Sequence, residues 1–165
     1  MKTLILALGN PILSDDGVAH EVADRLAKRL HSPSAVSDTQ YDIIKSSAAT
    51  MDIIPKLAGY DRLVVVDAVQ FGSAPVGTVH RFSLSDLAST IRLSSPHDIN
   101  FATALQMGKV WGYDIPADIH IYGIEVKELS RFSENCTPEV AEKLYEIVEN
   151  ILRSIANNQD LKAKY

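Results

Sequence analysis

Residues 3–9 read Thr-Leu-Ile-Leu-Ala-Leu-Gly, an apolar run without polar alternation, and the run stops at Gly9-Asn10-Pro11. A strand with one face in water alternates with period two, so an unbroken apolar run suits a strand covered on both faces, as in a parallel sheet. The next segment supplies a cover. Val18, Val22, Leu26 and Leu30 recur every four residues, with Asp, Glu, Lys and Arg between them, which is the stripe of an amphipathic helix. Ser14 is placed to be its N-cap.

Later segments repeat the pattern. Tyr41 to Ser46 reads as a second strand after a Ser- and Pro-rich link, and Thr50 to Leu57 as a short helix around Pro55. Leu63 to Val66 is a β-branched third strand that ends at Asp67, followed by Gly72, Pro75 and Gly77 in a turn-rich link. That link is too short for a crossover helix, so a fourth strand over Thr78 to Leu84 must be antiparallel, at an edge. Ser95-Pro96-His97-Asp98 has the form of a helix start, with Ser95 as N-cap, Pro96 at the first helical position and Asp98 completing a capping box. Ile99, Ala102, Leu105 and Val110 are expected on its inward face. Ile119, Ile121 and Gly123 to Val126 give a fifth strand. Thr137-Pro138-Glu139 opens a long helix with Val140, Leu144, Ile147, Val148, Ile151 and Ile155 at helical spacing.

The expected fold is an α/β three-layer α/β/α sandwich around about five strands, mostly parallel with one antiparallel edge strand. A single domain is expected over 1–156, with 157–165 a polar, disordered tail.

Composition narrows the function classes. The chain has 165 residues, 46% of them hydrophobic, enough for a substantial core. Its 21 acidic and 16 basic residues leave a net charge of −5, which gives no electrostatic footprint for nucleic acid. One cysteine, Cys136, can form neither an internal disulfide nor a thiolate cluster, so any metal must be held by oxygen and nitrogen. The opening apolar run is too short for a signal peptide, and no stretch approaches the ~18 apolar residues of a membrane span. A soluble cytoplasmic protein without membrane insertion is expected.

In open parallel sheets, ligands bind beyond the carboxyl ends of the strands. Asp15 and Asp16 after strand one, Asp67 closing strand three and His97 in the first turn of the helix before strand five all fall at that edge. Two carboxylates and an imidazole there would suit a first-row metal. A helix N-terminus stabilises carboxylates and disfavours imidazolium, which leaves a neutral ring able to coordinate. Structural roles are also open: Asp15 and Asp16 could complement the helix dipole, Asp67 could cap a turn and His97 could be a plain helix residue. His20, one helical turn beyond Asp16, is a further ligand candidate or a half-buried histidine. His31, His80 and His120 carry no motif, and Cys136 reads as a small packed residue rather than a nucleophile. Gly9-Asn10-Pro11 has neither the dinucleotide fingerprint nor a phosphate-loop lysine.

Three blocks together resemble one family. Leu-Gly-Asn-Pro-Ile-Leu-Ser-Asp-Asp-Gly-Val at 8–18, Val-Val-Asp-Ala-Val at 65–69, and Ser-Pro-His-Asp at 95–98 with Ala104-Leu105 are similar in order and spacing to the nickel-iron hydrogenase maturation endopeptidases. The likeness extends over most of 1–155. It implies an endopeptidase that removes a C-terminal extension from a hydrogenase large-subunit precursor after nickel insertion, using the bound nickel as recognition element. By position it assigns Asp16, Asp67 and His97 both to catalysis and to contact with nickel. It also implies that the precursor supplies the nickel and that the enzyme has no tightly bound cofactor of its own. The nickel-loaded precursor is the expected partner, and the protein is expected to be a monomer. Metal-assisted water activation and an Asp16–Asp67 dyad sharing a proton both remain open. The chain departs from the family at Ala19 and at Ser46-Ser47-Ala48-Ala49, where glycines are common.

Two other readings compete. A receiver-like signalling domain would use an acidic pair after strand one, Asp67 as phospho-acceptor and Lys127 after strand five. A non-catalytic, hydrogenase-binding chaperone could use the same fold.

Overall fold

The computed structural model describes residues 1–31, 39–47, 51–84, 86 and 96–162, with the side chains of 96–100, 102 and 157–162 outside the description. Five strands, β1 (Lys2–Leu8), β2 (Gln40–Ser46), β3 (Arg62–Val69), β4 (Val79–Phe82) and β5 (Asp118–Glu125), form one sheet in the order β2-β1-β3-β5-β4. All pairs are parallel except β4 with β5. The link from Gln70 to Thr78 is too short to cross the sheet, so β4 returns antiparallel at an edge, as its length requires.

Four helices are labelled here: α1 (Val18–Leu30), α2 (Ile54–Leu57), α3 (Pro96–Val110) and α4 (Pro138–Lys162). α1 and α4 cover one face, packing Val18, Val22, Leu26, Val140, Ile147 and Ile151 on Ile5, Val64, Val66 and Ile124. α2 and α3 cover the other, with Ile54, Leu57, Phe101, Ala104 and Leu105 on Leu4, Leu6, Leu63, Val65 and Ile121. β1 and β3 are therefore buried on both sides, which is why their sequences show no polar alternation.

Several sequence expectations are corrected. Ser14 does not cap α1: a 3-10 turn, Ser14–Gly17, precedes the helix, and neither segment has a side-chain cap bond. The Ser14 hydroxyl turns instead to the Asn135 carbonyl, 3.4 Å away. Val110 is 78% exposed rather than inward, because five residues beyond Leu105 is a rotation of roughly 140° from the buried stripe. β3 does not close at Asp67; Ala68 and Val69 continue it, paired with Ile124 and Glu125. Past residue 156, α4 continues as helix to Lys162. Ser95, offered as an N-cap, and Ala48 and Ala49 of the departing segment lie outside the described residues.

Candidate active site at the carboxyl edge

From β1 the chain moves to one side, to β2, while β3 and β5 lie on the other. The crevice at such a reversal is the usual ligand position in an open sheet. Here the β1–β3 pairing ends at Ala7 and Val66, so Asp67 is the first β3 residue past β1's pairing. The 3-10 turn carrying Asp15 and Asp16 leaves β1 at the same end and packs on β3. Asp16 and Asp67 thus both lie at the carboxyl end of the β1–β3 pair, 6% and 1% exposed.

Gly9 makes the turn possible. Its φ is +146°, and a Cβ there would lie 2.0 Å from the Asp16 carbonyl oxygen, so the chain closes on itself only where there is no side chain. The Asn10 backbone N–H donates to Asp16 Oδ2 at 2.8 Å, and Asn10 Oδ1 accepts from the Ile12 N–H at 3.2 Å. Ser14 takes a positive φ of 46°, uncommon for a residue with a side chain, and its N–H reaches the Ser133 carbonyl at 2.8 Å.

Asp67 Oδ1 accepts from the Ala68 N–H at 2.8 Å. Val64, Val66 and Ala68 belong to the α1/α4 face, so alternation puts Asp67 on the α2/α3 face. His97 lies in the first turn of α3, the helix layered on that face, and its side chain is outside the description. Among the described residues, no group of three His, Cys, Asp or Glu side chains is arranged to hold a metal ion.

Asp15 has a different task. Fully buried, its carboxylate accepts from the N–H groups of Lys127 (3.2 Å), Glu128 (3.0 Å) and Thr137 (2.6 Å), and from the Thr137 hydroxyl (3.0 Å). It thereby clamps the 126–137 link and the start of α4 to the first turn. Nothing local in the sequence signals this, because the donors lie 112 to 122 residues away. Glu125, also missed, is 1% exposed and holds the link after β3: Oε1 accepts from the Phe71 and Gly72 N–H groups at 2.9 and 2.8 Å, while Oε2 meets His80 Nε2 at 3.0 Å.

The remaining candidates have structural places. His20 is half-buried with Nε2 3.3 Å from the Ser46 carbonyl, and burial pushes its pKa below the usual 6.5. Burial foremost, with Asp15 and Glu21 nearby, pushes the Cys136 thiol up to about 11, which suits a packed thiol rather than a nucleophile. The Lys127 ammonium pairs with Glu139 of α4. His120 contacts Asp118, itself paired with buried Arg62, at the opposite end of the strands.

The crevice, the buried acids and the layer order together define a three-layer α/β/α protein with an acidic carboxyl edge and no nucleotide loop. Residues 20–154 match the family described as hydrogenase maturation protease, and the chain belongs to that family. It is 22% identical over 156 residues to the hydrogenase 2 maturation protease of Escherichia coli K12, covering 94% of this chain and 91% of that one. It is 23% identical to the hydrogenase expression/formation protein HupD of Rhodobacter capsulatus, covering 93% of this chain and 71% of that protein. Among solved structures, the hydrogenase maturating endopeptidase HybD from E. coli superposes with a TM-score of 0.77 at 22% identity, over 96% and 94% of the two chains. The [NiFe] hydrogenase maturation protease HybD from Thermococcus kodakarensis gives 0.75 at 24% identity, over 93% and 98%. Family membership replaces the receiver reading. Among the described residues, no helix is long and apolar enough to cross a membrane.

Proposed function

We propose that this chain is the endopeptidase that removes a C-terminal extension from a nickel-iron hydrogenase large-subunit precursor, with nickel already seated in the precursor as the recognition element. The observation that carries the reading is the presence of two buried carboxylates, Asp16 and Asp67, at the crevice between β1 and β3. Carboxylates at the carboxyl edge of an open sheet stand where such folds bind their ligands, and this family's reaction supplies a role for them. Asp16, Asp67 and His97 present oxygen and nitrogen donors, which suit a first-row divalent ion while leaving positions for the precursor's own ligands.

Hydrolysis needs one proton taken from water and one delivered to the leaving amine as the C–N bond breaks. A carboxylate of Asp16 or Asp67 takes the first; the Asn10 N–H keeps Asp16 oriented. The nickel, being part of the substrate, supplies a positive charge that orients these side chains on the precursor.

The test is intact-mass analysis of the precursor, with and without nickel, after incubation with the protein. Nickel-dependent loss of a C-terminal peptide is expected, with a drop of at least a hundredfold in Asp67→Asn and in His97→Ala. Equal cleavage of the nickel-free precursor would remove the recognition role and favour the aspartate dyad. Binding without cleavage would favour the chaperone reading.

A further inference from the structure

Two links border the carboxyl edge on one side of the crevice, 10–14 and 127–137, and they are stitched together. Ser133 N–H donates to the Ile12 carbonyl at 3.1 Å, Ser14 N–H donates to the Ser133 carbonyl at 2.8 Å, and Leu13 and Ser133 form a parallel bridge. Asp15 fixes both ends of the second link through Lys127, Glu128 and Thr137. These bonds bring the backbone at Ile12 next to the Phe132–Ser133 peptide.

Both side chains are held in water, Ile12 at 48% and Phe132 at 80% exposure. The backbone beside Phe132 is fixed by the Ser133 hydrogen bonds to Ile12 and Ser14. Ile12 also belongs to the turn that orients Asp16, since its N–H is bound by Asn10, whose own N–H holds the Asp16 carboxylate.

We propose that Ile12 and Phe132 form a rigid apolar platform that grips an apolar segment of the hydrogenase large-subunit precursor beside Asp16 and Asp67, an inference that rests on the endopeptidase reading. The size of the patch selects the occupant. A stable dimer buries about 800 Å² per partner, whereas two such side chains offer on the order of 200 to 300 Å², so a second copy is poorly served and a short peptide segment is well matched. The platform also borders the turn that orients Asp16. Pre-set aromatic anchors of this kind are where binding energy concentrates, because little is lost in ordering them. A second exposed apolar group, Met107, Val110, Trp111 and Tyr113, lies at the amino-end side of the sheet, where the end of α3 leads into β5, and serves as the internal control.

The experiment measures affinity of the nickel-loaded precursor for the Asp67→Asn protein, and KM for cleavage by the otherwise native protein, each with and without Ile12→Ala plus Phe132→Ala. The double substitution is expected to weaken binding and raise KM at least tenfold, with an unchanged urea midpoint, while Trp111→Ala changes neither. Cleavage with KM and affinity unaltered in the double variant overturns the platform and leaves the protease reading standing. Platform-dependent binding without any cleavage by the native protein supports the platform and overturns the protease reading. Neither binding nor cleavage overturns both.

Discussion

Asp15 and Asp16 are neighbours in the chain and differ in what they face. The Asp16 carboxylate accepts from the nearby Asn10 N–H, while Asp15 accepts four hydrogen bonds from Lys127, Glu128 and Thr137 of the 126–137 link. Asp15→Ala strands those buried donors, each costing about 1 to 3 kcal/mol, so a loss of at least about 3 kcal/mol in urea unfolding is expected; a loss below about 1 kcal/mol would refute the clamp. Gly9→Ala should be comparably damaging, since its methyl would meet the Asp16 carbonyl at 2.0 Å, and the check is again the unfolding midpoint. Cys136, with its pKa pushed up to about 11, should be alkylated slowly at pH 8 and roughly tenfold faster per pH unit as pH rises towards 10; fast modification at neutral pH would contradict its packed environment. Asp16 and Asp67 were legible as candidates because each follows an apolar strand run. Asp15's role was not, because its partners are brought to it only by the tertiary fold.

Strands and helices were legible wherever burial writes a period into the sequence. β1 read as a strand covered on both faces because α1/α4 and α2/α3 do cover it, and β4 read as antiparallel because the link before it is short. Ends were less legible. β3 passes Asp67 because β5 still pairs with it after β1 has departed, a fact about a neighbour rather than about the residues themselves. The Ser14 cap failed because a 3-10 turn stitched to Ser133 takes the place of a simple helix start. Glu125 shows the same limit: within an apolar run it looks like a strand end, yet it secures the link after β3. Glu125→Ala should raise hydrogen exchange at the Phe71 and Gly72 amides, which it binds, and leave Val126, whose N–H goes to the Val69 carbonyl, protected. Uniform protection in the variant would show that the link holds itself.

At the scale of the whole molecule, acid should weaken the fold partly through His20. Burial disfavours its charged ring, so the folded pKa lies below the usual 6.5 and the unfolded chain binds more protons as pH falls through that value. This contribution is complete above about pH 7 and is lost progressively below about 6.5. His120 shifts in the same direction, also chiefly through burial. The urea midpoint should therefore drop between pH 7.5 and 5.5, and drop less in His20→Gln; an identical pH dependence in the variant would remove His20 from the account. The groove of about 500 Å³ between α1 and α4, lined by Glu21, Asp24, Arg25, Lys28, Arg29 and Tyr145, carries no part of the crevice chemistry. The clamp at Asp15 has one more consequence, which concerns timing. Thr137 follows Asp15 by 122 residues, so on the ribosome both acids emerge long before the segment that locks their turn in place. A nascent or truncated chain carries the acids without the lock, and competence at this edge arrives only when synthesis has reached the last helix.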